Sequence, residues 1–468
     1  FLGLGIKLVA FLFYANFSIL KILFSKKSMS QKISGARDSK FSLFKNLIRF
    51  HDSLFEVANV NEKLTQIPQN VNSSIGENEF DFVIIGSGPG GAVSARKLQQ
   101  AGFNTCIIES SRTYPEGVIH SFSYSEMLNQ YKHGGITTTF GNVNVAYVEG
   151  ATLGGGSEIN SGLYHRTPDH ILQHWKNEFN LMESETDDLD KHFSIIENHL
   201  CISYFPGRHV PAASLKLKEG AENLGWDVQE VPRWFKYNAD QSANGQKMTM
   251  SQTYLKHYLA ESGKCFELTK AILIKMKKDI WDVTALSSSG EKHLSAKNVI
   301  LAAGTINTPQ LLKRSGISRI AGNRFQMHPT LKVVALFDEK INRESMGVPV
   351  HQVKEFAPEF SFGCSISSKP YLRVAMLDHF KHLNIVEEKW ENMAIYYVMI
   401  VPEGNGSINK LPFFQDPLVR YYLTGRDKNN LARGLKKLCE LLIRAGATKL
   451  FPSIQKGSII STMDDIKN

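Results

Sequence analysis

The densest chemical signal in the sequence is Gly86-Ser87-Gly88-Pro89-Gly90-Gly91, with glycines at G-x-G-x-x-G spacing. At that spacing the first glycine permits a tight turn, the second lets backbone approach a pyrophosphate, and the third allows a helix to pack closely on a strand. The apolar run Asp81-Phe82-Val83-Ile84-Ile85 precedes it and reads as a buried parallel strand. Ala92, Ala95 and Leu98 follow at helical spacing, with a helix stop at Gly102. A helix that begins at such a turn presents unpaired N–H groups to an anion. A second apolar run, Thr105-Cys106-Ile107-Ile108, then delivers Glu109 at the spacing of an acid that binds ribose hydroxyls. Gly86, Ser87, Gly88, Gly90, Gly91 and Glu109 are therefore candidate ligands of a dinucleotide. FAD and NAD both present an ADP half to this unit, so the fingerprint alone leaves the choice between them open.

Two later runs carry further chemistry. Gly150-Ala151-Thr152-Leu153-Gly154-Gly155-Gly156-Ser157-Glu158-Ile159-Asn160 joins glycines to a hydroxyl and an amide. Such a run lets backbone lie against a flat ligand, with Asn160 able to donate or accept hydrogen bonds. A plain glycine turn around a satisfied Asn is the alternative. Asn298-Val299-Ile300-Leu301-Ala302-Ala303-Gly304 reads as another buried strand ending on glycine. It is followed by a helix with Pro309 suited to the first turn and Gly316 to the end.

These runs carry a family resemblance. Gly154 to Pro168, including Asn160-Ser161-Gly162-Leu163-Tyr164-His165-Arg166, is similar to the first signature of the glucose-methanol-choline (GMC) family of FAD-dependent oxidoreductases. Asn298 to Ile317 resembles the second signature, and the likeness covers about Asp81 to the end. Ala151 departs from the polar or basic residue usual there, Pro168 lies one place later, and Ser318 stands where glycine is usual. The resemblance implies FAD as cofactor, with Gly155, Gly156, Asn160 and Gly162 against the isoalloxazine ring and a strand carrying Leu273 against the adenine. It also implies oxidation of CH–OH groups, with hydride passing from a small-molecule alcohol to flavin N5 and the hydroxyl proton to a histidine, whose pKa suits that work. The electron acceptor that follows is not specified. In the family this histidine lies near the C-terminus. No histidine follows His382, and the final cofactor-closing segment is not recognisable before Asn468. The expectation is a chain that stops short of a complete active site, and no catalytic residue is assigned. His328, before Pro329, reads as structural. The helical preface and Tyr164-His165-Arg166 are most similar to the long-chain alcohol oxidase branch. A non-catalytic FAD-binding protein is the alternative if the natural chain ends at Asn468. An NAD-dependent dehydrogenase is the reading that the two flavin-type signatures oppose.

Elements must hold these residues in place, and the whole chain limits what those elements can be. A chain of 468 residues with 42% hydrophobic and 21% charged residues is globular, neither disordered nor a multi-span membrane protein. The net charge of +9 comes without an Arg/aromatic stripe, which excludes nucleic acid as the expected partner. Five scattered cysteines with no C-x-x-C pair suggest neither a disulfide framework nor a metal site. The expected fold class is α/β, α+β overall. A helical N-terminal segment (1–60) would associate peripherally with a membrane through its apolar first helix, and a linker (61–79) follows it. Then come a Rossmann-like FAD-binding domain (80–335) and an incomplete antiparallel-sheet substrate domain (336–468). Leu331 to Phe337 and Met393 to Val401 supply strands of that sheet, and Lys428 to Gly446 supplies a helix packed on it. Glu267 to Ile280, with a turn at Ser287 to Gly290, reads as a β-hairpin or meander.

Overall fold

The computed structural model describes residues 79–467 except 116, 136, 181–182, 207–209, 238–244, 345, 412–415 and 455–456. The helical segment at 1–60, its membrane association and the linker up to residue 78 lie outside the described residues.

The fingerprint sits at the centre of a six-stranded sheet. Its strands run in the order Lys264–Phe266, Thr105–Ile108, Glu79–Ile85, Gly290–Leu301, Ile280–Ser287, Lys270–Lys277. The first four are mutually parallel and the last two complete an antiparallel meander. Val83, Ile84, Cys106 and Ile107 are fully buried, as their unbroken apolar runs require of strands covered on both faces. The strand expected at Asn298 starts earlier, at Gly290, so one long strand serves both arrangements: its first half pairs with Ile280–Ser287 and its last residues with Glu79–Ile85. Ile85 is level with Ile108 on one side and Leu301 on the other. The carboxyl ends of these strands therefore open onto one edge, where Gly86, Glu109 and Ala302 begin. That edge is the usual ligand side of a parallel sheet.

A second six-stranded sheet is wholly antiparallel. Its order is Lys449–Pro452, Thr330–Leu336, Met393–Ile400, Phe360–Cys364, His351–Val353, Val228–Glu230. Ala394, Tyr396 and Val398 face the helices Ala212–Glu222 and Gly425–Arg444, while Met393 and Ile395 face the helix Lys369–Ala375. The division expected at 335/336 is thus corrected. It cuts the strand Thr330–Leu336, and the second layer also takes Ala212–Glu222 and Val228–Glu230 from the span expected to be cofactor-binding throughout.

The helix Gly425–Arg444 starts three residues before the periodic leucines suggest, because Thr424 and Asp427 form a reciprocal capping box. Asp427 is 1% exposed and accepts from the backbone N–H of Thr424 (2.8 Å), Glu403 (2.9 Å) and Gly404 (2.9 Å). Burial alone would raise its pKa, but these bonds outweigh it and hold the carboxyl below its ordinary value of 3.8. A depressed carboxylate pKa adds stability that is full above the unfolded-state value and is lost as pH falls through the folded value. Asp427→Asn, which aims an amide at three donors, is expected to cost about 3 kcal/mol near neutral pH. The deficit in denaturant melts should shrink as pH drops below about 4; a deficit independent of pH would contradict the assigned ionisation.

Candidate cofactor site

Two glycine turns distant in sequence meet at the open edge of the first sheet. Gly86 has φ +102°, and a Cβ there would lie 2.4 Å from the carbonyl oxygen of Ala302. A Cβ on Gly91 would lie 1.8 Å from the carbonyl oxygen of Gly86, so the helix Pro89–Gln100 crosses its strand at backbone contact. Gly155 has φ +60°, and its Cβ would stand 3.0 Å from Cα of Gly88. Ser87, fully buried, joins the two turns: its hydroxyl donates to Glu109 Oε2 (2.7 Å) and accepts from the Gly154 N–H (3.0 Å). Oε2 of Glu109 also accepts from the Ser87 N–H (3.0 Å), and Oε1 from the Ser111 N–H (2.8 Å) and the Ser110 hydroxyl (3.2 Å). A carboxylate offers about four acceptor sites. The Ser110 bond is the longest of the four and the one most readily exchanged for another donor.

A cavity of about 960 Å³ extends from this junction, at the upper end of the range for small-molecule and cofactor sites. Gly86, Ser87, Gly88, Gly90, Glu109, Gly155, Gly156 and Asn160 all line it. So do the first residues of the helices Pro89–Gln100 and Gly304–Arg314, whose N-terminal N–H groups favour an anion. Pro309 lies inside the second helix rather than in its first turn. Proline has no N–H to give the carbonyl four residues earlier, and that residue, Thr305, is on the cavity wall.

Three of the expected residues lie elsewhere. Gly91 acts through the helix crossing and does not line the cavity. Gly162 has φ +74°, and its missing side chain makes room for Trp234 and Phe235 against the loop. Its N–H donates to Oδ1 of Asn160 at 3.1 Å. Leu273 is corrected: the cavity wall is Thr269, Lys270 and Ala271. A bulge between Ala271 and Leu273 shifts the strand register just beyond that wall.

The structure also adds residues. Lys132 and Glu149 line the cavity and pair at 3.1 Å, and Asn307 donates to the other Glu149 oxygen at 3.3 Å. Lys132 and Glu149 belong to none of the sequence signatures, and only the fold brings them together. Residues 82–330 match the profile of the GMC oxidoreductase family, which is more than half of the chain. The chain belongs to the GMC oxidoreductase family. A GMC-type oxidoreductase of Sinorhizobium fredii is 31% identical over 397 residues, which is 82% of this chain and 78% of the relative. A long-chain-alcohol oxidase of Arabidopsis thaliana is 24% identical over 427 residues, covering 83% of this chain but 57% of the oxidase. Among solved structures, pyridoxine 4-oxidase from Mesorbium loti aligns with a TM-score of 0.58 at 15% identity, over 82% of this chain and 85% of that one. Formate oxidase of Aspergillus oryzae aligns with a TM-score of 0.57 at 15% identity, over 80% of this chain and 82% of that one. At that identity these neighbours establish the GMC fold, with its Rossmann-like FAD-binding architecture.

Proposed function

We propose that this chain binds FAD along the edge of the first sheet and, as a GMC oxidoreductase, takes hydride from the CH–OH carbon of a small-molecule alcohol. The observation that carries the reading is the meeting of Gly88 and Gly155, tied through Ser87, at the mouth of one large cavity. A Cβ on Gly155 would press on the Gly88 backbone and part the two turns, while one on Gly88 would enter open space at the cavity that Gly88 lines. Gly86 to Gly90, Glu109 and the wall Thr269 to Ala271 would hold the ADP half, with the pyrophosphate at the two helix N-termini. Gly155 to Asn160 would hold the ring. FAD bound there supplies the hydride acceptor, N5, and an external acceptor later removes the electrons. Similarity to long-chain-alcohol oxidases favours a primary alcohol with an alkyl chain as the substrate.

The test is an absorbance spectrum of the purified chain after incubation with FAD, then anaerobic addition of primary alcohols from short to long. Flavin bands that persist through desalting and bleach with alcohol support both halves of the reading, and bleaching that improves with chain length supports the substrate class. Bands that persist but never bleach would overturn alcohol oxidation by this chain while leaving FAD binding intact. NAD bound in place of FAD would overturn the cofactor.

A further inference from the structure

Gly155, Gly156, Ile159 and Asn160 line the cavity, yet the turn that carries them has little to hold it from within. Its helix, Gly156–Ile159, has four residues, too few to sustain itself, and the carbonyls at the C-terminal end of such a helix find no partner inside it. Two side chains that do not line the cavity take those carbonyls. Lys247, 9% exposed, donates its ammonium protons to the carbonyl oxygens of Glu158 (2.5 Å) and Asn160 (2.8 Å). The carbonyl between them, that of Ile159, accepts from the Tyr131 hydroxyl at 3.1 Å. The Lys247 ammonium also stands 5.4 Å from the centre of the Phe122 ring, within reach of a cation–π contact. The Tyr131 hydroxyl in turn meets that of Tyr371 at 2.7 Å, on the helix Lys369–Ala375 that packs on the second sheet. Residues just after Lys247 complete the hold. The Met250 N–H donates to the Ser157 hydroxyl (3.1 Å), and the N–H (3.1 Å) and hydroxyl (2.8 Å) of Ser251 donate to the two carboxylate oxygens of Glu158.

We propose that Lys247 and Tyr131 are positioning residues for FAD: they hold the end of this one-turn helix and so fix Gly155, Gly156, Ile159 and Asn160 on the wall assigned to the isoalloxazine ring. Each peptide unit is a rigid plane. With the ammonium fixing the carbonyls of Glu158 and Asn160 and a hydroxyl fixing that of Ile159, three successive planes are held at once. Backbone that is already ordered gives up less freedom when a flat ligand settles on it. A buried ammonium is a poor source of stability by itself, because desolvation offsets what its bonds return. Its charge-assisted bonds supply direction as well as energy. The ADP half would rest on a different stretch of wall, Gly86 to Gly90, Glu109 and Thr269 to Ala271, so the two halves of the cofactor should respond differently when the hold is removed.

This inference rests on the FAD reading, and titration of the purified chain with FAD and, separately, with ADP tells the failure of one from the failure of the other. Lys247→Met should weaken FAD binding about tenfold, through the loss of two bonds from a charged donor. Its affinity for ADP should stay within about twofold of the unmodified chain. Tyr131→Phe keeps the ring packing and removes one hydroxyl; it should weaken FAD about threefold, again with ADP unaffected, and it decides the matter if Lys247→Met does not fold. The visible circular dichroism of bound FAD, which arises from the ring and its contacts, should change in both variants, and it decides where ADP binds too weakly to titrate. A merely structural role would loosen the whole cavity and lower both affinities together. An unmodified chain that binds no FAD overturns the cofactor reading and this inference with it. FAD affinity and dichroism that are unchanged in the variants, or an affinity for ADP that falls in step with that for FAD, overturns the inference alone.

Discussion

Gly91→Ala is expected to abolish FAD binding and to lower the melting temperature sharply. Gly91 has an ordinary backbone conformation for any residue, so its φ does not set the cost. The cost comes from the new methyl, which would stand 1.8 Å from the carbonyl oxygen of Gly86 and 3.2 Å from Ile84 Cγ2. Neither obstacle is the movable end of a long side chain. The carbonyl belongs to the fingerprint turn, and Ile84 is fully buried in the central strand. The helix Pro89–Gln100 must therefore lift off the sheet by more than 1 Å or so before the methyl reaches ordinary contact distance. Overpacking of this kind costs about 1–3 kcal/mol when side chains can repack, and the backbone contact here should place it at about 3 kcal/mol or more. Lifting the helix also moves its N-terminal N–H groups away from the cavity that Gly88 and Gly90 line, so affinity falls with stability. Gly102→Ala is the matched control: Gly102 has φ +87° but open space around its Cβ position, which limits the penalty to backbone strain of about 1–2 kcal/mol. Thermal melts and FAD titrations on the two variants should differ in both readouts. Equal losses would mean that the helix crossing is not what Gly91 protects.

The contrast between these glycines shows which parts of the site were legible in the sequence. Strand, turn, helix and second strand from Phe80 to Glu109 are adjacent along the chain, and each leaves a local pattern: unbroken apolar runs, glycines at fixed offsets, helical spacing of Ala92 and Ala95. The structure places all of these elements as expected. The glycine run at 154–156 was equally visible, but its contact with Gly88 was not, because the Ser87–Gly154 bond spans 67 residues. Leu273 was misplaced by a single-residue bulge, a backbone irregularity that apolar alternation does not register. Val228–Glu230 was missed as a strand because three residues carry no measurable period; it exists through pairing with His351–Val353. Lys247 belongs to none of the sequence signatures, and only the fold brings it to the Glu158 carbonyl, 89 residues earlier. Local rules thus exposed the cradle of the site, while the groups that brace it from behind depend on contacts across the chain.

Glu109→Ala is expected to be the most damaging polar substitution at the site, lowering FAD affinity at least a hundredfold and stability by about 4 kcal/mol. Glu109 is 7% exposed, so water is poorly placed to replace what is lost. Truncation strands the N–H groups of Ser87 and Ser111 and leaves the Ser87 hydroxyl without its acceptor. A buried donor left unpaired costs about 1–3 kcal/mol, and two or three such groups reach the stated loss before any ligand is considered. Glu109→Gln tests whether charge or shape matters. Its amide oxygen can serve the Ser111 N–H, but its NH₂ group then faces the Ser87 N–H, donor against donor, and flipping the amide moves the conflict to Ser111. The expected loss for Gln is about 2 kcal/mol, with intermediate affinity for FAD. Ser87→Ala removes only the bridging hydroxyl to Gly154 and keeps the backbone bond to Glu109. It should therefore loosen the second glycine turn, weakening FAD more than it weakens the fold. The order Ala, Gln, Ser87→Ala in chemical denaturation separates the two tasks of this carboxylate. Were Glu109→Ala as stable as the unmodified chain and impaired only in FAD binding, Glu109 would be a ligand alone, and the hydrogen bonds that join the two turns would contribute nothing to holding them together.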